Sequence, residues 1–341
     1  MKLRFLFCAS AVCIGGAILW AAGANPYHVA RTIKIGGEGG WDYLAVDEAN
    51  RHLFVSHATQ VEVIDLEAAK PVSVIKNTPG VHGVAIAAKP NRGFISCGKE
   101  NTIVVFDLKT LKEISRVPTG EGPDAIMYDS VSNRVFAMNG HGGSATAIDA
   151  DKASVVGTIT LGGKPEFTAA DGKGAAFVNL EDKDAVVRYD TAKLEVTGTW
   201  PVAPCKAPGS MAMDKKNSRI FIGCHNDMMV VVDSTNGKVV AQAPVGHGVD
   251  AATFDSHSGL VFQSSGDGKV TIVHEDSPDQ YTVVGTVATA AGAKTMARDP
   301  KTHNMYLSVA DFGPMPSATK ENPKPKAPVI PGTFRVIELV P

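Results

Sequence analysis

The feature that most constrains this chain is internal repetition. An apolar run ending in an acid recurs as Val63-Ile64-Asp65, Val105-Phe106-Asp107, Ala147-Ile148-Asp149, Arg188-Tyr189-Asp190 and Val231-Val232-Asp233. Ile272-Val273-His274 and Val336-Ile337-Glu338 continue the series in weaker form. The successive acids of the first five units lie 42, 42, 41 and 43 residues apart. Two further markers keep step. One is an aromatic in a short β-like run: Phe54, Phe94, Phe136, Phe177, Phe221, Phe262 and Tyr306. The other is an acid preceding it: Asp47, Asp129, Asp171, Asp214, Asp255 and Asp299, with Ala87 in the second unit.

A unit of this length, filled with alternating and β-branched stretches and punctuated by Gly, Asn, Asp and Pro, holds four short strands. Four strands at that period is the signature of a propeller blade. A parallel β-helix needs a shorter repeat, and a helical solenoid needs helical periodicity that the chain lacks. The expected fold is therefore all-β, a seven-bladed β-propeller of four-stranded antiparallel blades spanning 25–341. The chain stops at Pro341, just after the third strand of the last unit. Val29-Ala30-Arg31-Thr32-Ile33-Lys34-Ile35-Gly36-Gly37 matches Val155-Val156-Gly157-Thr158-Ile159-Thr160-Leu161-Gly162-Gly163, an outer strand. The N-terminal strand is thus expected to complete the last blade and hide its edge.

The final interval, from His274 to Glu338, is longer. It contains Pro314, Pro316, Pro323, Pro325, Pro328 and Pro331 with Lys320, Lys324 and Lys326. Proline cannot donate to a strand ladder, so 312–331 reads as a proline-rich insertion in blade seven, extended or mobile.

The runs Phe54-Val55-Ser56-His57 and Phe136-Ala137-Met138-Asn139, with the recurring apolar-apolar-Asp, resemble the YVTN-type β-propeller repeat family. The nearest resemblance is to YncE-like exported bacterial proteins, and it covers essentially all of 25–341. It implies seven blades and an extracytoplasmic location, and says little about chemistry, because a fold hosts many functions. The WD40 repeat is a poorer match, since Trp41-Asp42 stands at the start of a blade, not its end.

The N-terminus agrees with export. Lys2 and Arg4 precede an apolar run from Phe5 to Trp20, followed by Ala22-Gly23-Ala24. This is the layout of a signal peptide over 1–24, and the run is short for spanning a bilayer, where roughly 20 residues are usual. A periplasmic or secreted protein without a membrane span is expected. Its remaining cysteines would be Cys97, Cys205 and Cys224. Cys205 and Cys224 flank the first two strands of blade five and are candidates for a disulfide, leaving Cys97 free. The net charge of -2 offers no basic footprint for nucleic acid.

Propeller strands run outward from the axis, so the start of strand one and the end of strand two share a face near the channel. Five residues before the acid marker stand Asp42, His82, Asp124, Glu166, Gly209, Asp250 and Lys294. Second strands end near His57, Cys97, Asn139, Glu181, His225, Asp267 and Asp311, with His141 just beyond. The expected channel-mouth site comprises Trp41, Asp42, His82, Asp124, Asn139, His141, Glu166, Glu181, His225 and Asp250, with Trp41 as an aromatic wall.

Carboxylates gathered in a ring repel, and a cation or a protonation shift relieves them. Two readings stand at this point. The acids either bond backbone N–H groups of Gly-rich turns such as Gly120-Glu121-Gly122-Pro123-Asp124, or they hold a ligand. In the second case a divalent cation would take Asp124, Glu166, Asp250 and Asn139. No nucleophile elbow, haem attachment, zinc-protease or phosphate-loop motif occurs. The function expected first is a monomeric binding module whose mouth or insertion recognises a small molecule or protein partner. A metal-dependent hydrolase of the lactonase or esterase kind is the alternative, and a histidine-bound copper site in redox association is third.

Overall fold

The computed structural model describes residues 25–341 apart from 321 and 324. The signal-peptide reading of 1–24 lies outside the described residues. Strands gather into seven antiparallel sheets of four, each built from consecutive strands except the last. Blade one runs Trp41–Asp47, His52–His57, Gln60–Asp65 and Lys70–Ile75. The last sheet orders Met296–Arg298, Met305–Val309 and Arg335–Val340, and its outermost strand is His28–Lys34. His28 pairs with Val340 and Ile33 with Val336, so the N-terminal strand closes the ring as expected.

All three repeat markers have local physical work. The aromatics Phe54, Phe94, Phe136, Phe177, Phe221, Phe262 and Tyr306 are fully buried between neighbouring sheets. Phe54 of blade one, for example, meets Phe106 of blade two edge to face at 5.3 Å. A buried side chain of this size contributes on the order of 1.5–3 kcal/mol. The acids at the ends of third strands close turns: Asp65 Oδ1 accepts the Glu67 and Ala68 N–H groups, each at 2.8 Å. Asp107 does the same for Lys109 and Thr110. The acids ending innermost strands act likewise, Asp47 taking Ala49 and Asn50. Asp side chains that bond backbone two and three residues on mimic a backbone turn.

The proline-rich insertion leaves the ring between the second and third strands of blade seven. Its base is a short stem: Phe312 bridges Val329, the Gly313 N–H donates to the Pro328 carbonyl, and the Ile330 N–H donates to Asp311. Beyond the stem the described residues of the segment are irregular, and Met315 is largely exposed.

Cys205 and Cys224 are joined in a disulfide with their Cα atoms 5.4 Å apart. Cys97 is a buried free cysteine, and burial pushes its thiol up to about 12. Among the described residues no helix is long and apolar enough to cross a membrane.

Candidate functional site at the channel mouth

Asp42, His82, Asp124, Glu166, Gly209 and Asp250 each occupy the second position of an innermost strand. Those strands share a defect. In blade one, Trp41 pairs with His57, but regular pairing resumes only at Leu44 with Val55. The same break falls between Val81 and Val84, Pro123 and Ile126, Pro165 and Thr168, Pro208 and Ser210, and Val249 and Ala251. A bulge bends its strand and re-aims a side chain. Here it frees the second residue of six blades from the ladder at the channel mouth.

Hydroxyls lock the bulges between blades. Ser96 Oγ donates to the Asp124 carbonyl at 2.6 Å, Ser264 Oγ to the Lys294 carbonyl at 2.5 Å, and Thr295 Oγ1 to the Asp42 carbonyl at 2.7 Å. The backbone under the collar is therefore tied across blade boundaries.

The collar is mixed in charge. His82 Nδ1 lies 2.7 Å from Asp42 Oδ2 and 3.4 Å from Asp124 Oδ1. Lys294 Nζ is 2.6 Å from Asp250 Oδ2. Lys164 Nζ is 3.3 Å from Glu166 Oε2 and also pairs with Glu181. Glycines make room for the imidazoles. A Cβ on Gly98 would come within 3.0 Å of His82 Nε2, and one on Gly209 within 2.9 Å of His225 Nε2. His225, half exposed, leans to within 3.8 Å of Glu181 and stands over the position that Gly209 leaves bare.

Two carboxylate oxygens are held only by the longer ion pairs. Asp124 Oδ1 and Glu166 Oε2 are shielded from solvent, and their nearest cations are His82 at 3.4 Å and Lys164 at 3.3 Å. Burial raises the carboxyls of Asp42, Asp124 and Asp250 above the usual carboxylate range. Burial, followed by the charge of Asp124, pushes Glu166 up to about 7. His82 is pulled down by burial, but its bond to Asp42 and the neighbouring carboxylates outweigh this and raise it. Burial likewise opposes the charge on Lys294, and Asp250 overcomes it.

Directly below the collar the next residues along the same strands enclose a cavity. Its volume is about 190 Å³, lined by Tyr43, Leu44, Gly83, Val84, Ala125, Ile126, Phe167, Thr168 and Met296. Tyr43 of blade one meets Phe167 of blade four edge to face at 5.3 Å, so aromatic surface spans the channel. Burial and then the charges of Asp124, Asp42, Glu166 and Asp250 hold the Tyr43 phenol well above its ordinary range.

Of the residues singled out from sequence, Asp42, His82, Asp124, Glu166 and Asp250 converge on this mouth. Glu181 and His225 form its outer rim beside Lys164. His141 is exposed further out, in a glycine-rich surface cleft with Lys164 and Asp182. Asn139 is fully buried within blade three, where its Nδ2 donates to Ser144 and Thr146. His57 and Cys97 are also buried, His57 with its Nδ1 3.0 Å from Glu62 on the third strand of blade one. Trp41 packs between Phe312 at 5.8 Å and Phe334 at 5.6 Å, seating the insertion's stem on the seam between blades seven and one. The turn-bonding reading does not describe the collar: among the described residues, the side-chain partners of Asp42, Glu166 and Asp250 are His82, Lys164 and Lys294. Lys164, Tyr43 and Phe167 went unnoticed in the sequence, although they stand two before Glu166 and one after Asp42 and Glu166.

No family model matches this chain, and no curated protein matches it. Solved structures match over nearly their whole length. The structure of U3-55K is 10% identical, with a TM-score of 0.74 over 92% of this chain and 98% of that one. The RRP9 WD40 repeats are 10% identical, with a TM-score of 0.76 over 93% and 99%. Kuenenia stuttgartiensis hydrazine synthase is 14% identical, with a TM-score of 0.70 over 86% and 96%. At such identities the likeness carries the seven-bladed, WD40-like fold and nothing about chemistry.

Proposed function

We propose that this chain is an exported binding module of the YVTN type, similar to YncE-like bacterial proteins, that takes a positively charged ligand at the channel mouth. The signal-like 1–24 segment and the repeat motifs support a periplasmic or secreted location after cleavage behind Ala24. The observation that carries the binding role is the convergence of four carboxylates from blades one, three, four and six, two of whose shielded oxygens are held only by ion pairs of 3.4 and 3.3 Å. Acceptors held this loosely above a cavity keep capacity for a cationic donor.

A melting-temperature screen against metal and organic cations at low ionic strength tests this. A ligand that binds only the native state raises stability by about 2.7 kcal/mol at a hundred times its Kd. At least one cation should raise the melting temperature, and Asp124→Asn/Asp250→Asn should abolish the rise. A panel of cations that leaves the protein unmoved would sink the proposal.

A metal-dependent hydrolase is the second reading, favoured by one observation. Asp42, His82 and Asp124 each offer a ligand atom, all within 4.8 Å of one another. A cation there would polarise a carbonyl and lower the pKa of a bound water. Of the four residues expected to hold a cation, only Asp124 belongs to this set; Asn139 is buried inside blade three, and Asp42 and His82 stand where Glu166 and Asp250 were expected. Stoichiometric metal by elemental analysis, together with ester or lactone turnover lost in Asp42→Asn, would establish this reading; metal-free, inert protein would end it.

A further inference from the structure

We infer that the ligand of the channel mouth is a small organic ammonium ion with an apolar body, its charged head between Asp124 and Glu166 and its body against Phe167 and Ile126. This rests on the cation-binding reading of the same site and specifies the class of cation.

The first argument is where the least satisfied charge lies. Asp42 is engaged by His82 and Asp250 by Lys294, each at hydrogen-bonding distance. The two most loosely held acceptors, Asp124 Oδ1 and Glu166 Oε2, belong to adjacent blades. His82 reaches the first only at 3.4 Å, with its Nδ1 closer to Asp42. Lys164, at 3.3 Å from the second, is shared with Glu181. Asp124 is among the charges that raise Glu166, so a donor cation bridging the two would add a short bond to each acceptor and offset their repulsion.

The second argument is what lies beneath. The residues following these acids, Ala125, Ile126, Phe167 and Thr168, form one wall of the cavity, and Tyr43, Val84 and Met296 form others. A hard ion such as Ca²⁺ needs six to eight oxygens, and here it would meet carbon on its inner side. An ammonium carried on an apolar body uses both halves of the site. Its N–H donors take the carboxylates, its carbon displaces water from the cavity, and the Tyr43 and Phe167 rings offer π surface near the cation.

Isothermal titration calorimetry on the purified protein at pH 8 decides the matter with five probes: 2-phenylethylammonium, methylammonium, uncharged 2-phenylethanol, Ca²⁺ and Mn²⁺. The expected order places 2-phenylethylammonium about tenfold or more above methylammonium, with the alcohol weaker than both, each tenfold step being ~1.4 kcal/mol. Asp124→Asn should weaken both ammonium ions about tenfold. Phe167→Ala should weaken 2-phenylethylammonium and leave methylammonium unchanged; the ratio of the two ions on the unmutated protein gives the same answer without any variant. Binding of Ca²⁺ or Mn²⁺ with no response to either ammonium overturns the inference and leaves the cation-binding reading standing. Silence from all charged probes overturns both. Equal affinity for the alcohol and the ammonium places the ligand in the cavity without the acids, and also overturns it.

Discussion

Arg51, in the first turn of blade one, holds Asp299 of blade seven through two parallel bonds of 2.9 and 2.6 Å, on the side of the ring opposite the collar. Asp299 is wholly buried, and desolvation, which opposes its charge, is outweighed by Arg51, leaving its carboxyl at about 2. The pair clamps the seam at which the propeller closes.

Arg51→Ala should therefore destabilise the fold by about 3 kcal/mol, since it strands a buried carboxylate. The sign with pH follows from a depressed acid. The clamp's contribution is present above the unfolded value near 3.8 and is lost as pH falls toward 2. Urea unfolding at pH 7 and at pH 3 measures both, and the gap between variant and parent should shrink at the lower pH.

Glu166 behaves in the opposite sense. Its folded carboxyl titrates near 7, whereas the unfolded one ionises near 4.5, so the native state loses ground between those values. Glu166→Gln should leave stability at pH 4.5 nearly unchanged and raise it at pH 8 by on the order of 1–3 kcal/mol. The same titration should strengthen ammonium binding as pH rises through 7, because Glu166 then gains its charge among Asp124, Glu181, Lys164, His82 and Lys294, the charges that face it. Unfolding free energies and calorimetric affinities across that range test both.

His82 gains a partner on folding, and its imidazole is raised overall. Its contribution is complete below the unfolded pKa and fades as pH rises through the folded one. His82→Gln should cost about 1 kcal/mol at pH 6, a modest figure suited to a third-exposed pair, and less at pH 9.

Loss of the Cys205–Cys224 bridge should cost about 3 kcal/mol, from the unfolded chain's regained freedom over a loop of 19 residues. Replacing both cysteines by serine, or reducing the parent, should lower the urea midpoint alike. Cys97 should resist thiol reagents until the protein unfolds, because its thiol is buried and neutral.

The architecture was legible because each repeating residue does its work within its own unit or against the next one. Asp65 needs only the two N–H groups that follow it, and Phe54 needs only the next sheet. The collar was legible for the same reason, as a fixed offset from those markers. What escaped was everything decided by neighbours outside the offset. Lys164 reaches Glu166 from before the strand, Tyr43 meets Phe167 from across the channel, and Asn139 turns inward because Ser144 and Thr146 accept its amide. Trp41 was read as a channel wall, but Phe312 and Phe334, far away in sequence, claim its faces.

The pairing of His28 with Val340 also sets a timetable. The strand His28–Lys34 is made long before Arg335–Val340 and has no partner until that strand arrives. Blades one to six can assemble from local segments as they emerge, but the seventh waits. A product that stops before Arg335 would carry an open ring with an unpaired edge, the state that chaperones and proteases recognise. This pairing thus works as a proofreading step, in which only copies that reach Val340 lose their exposed edge.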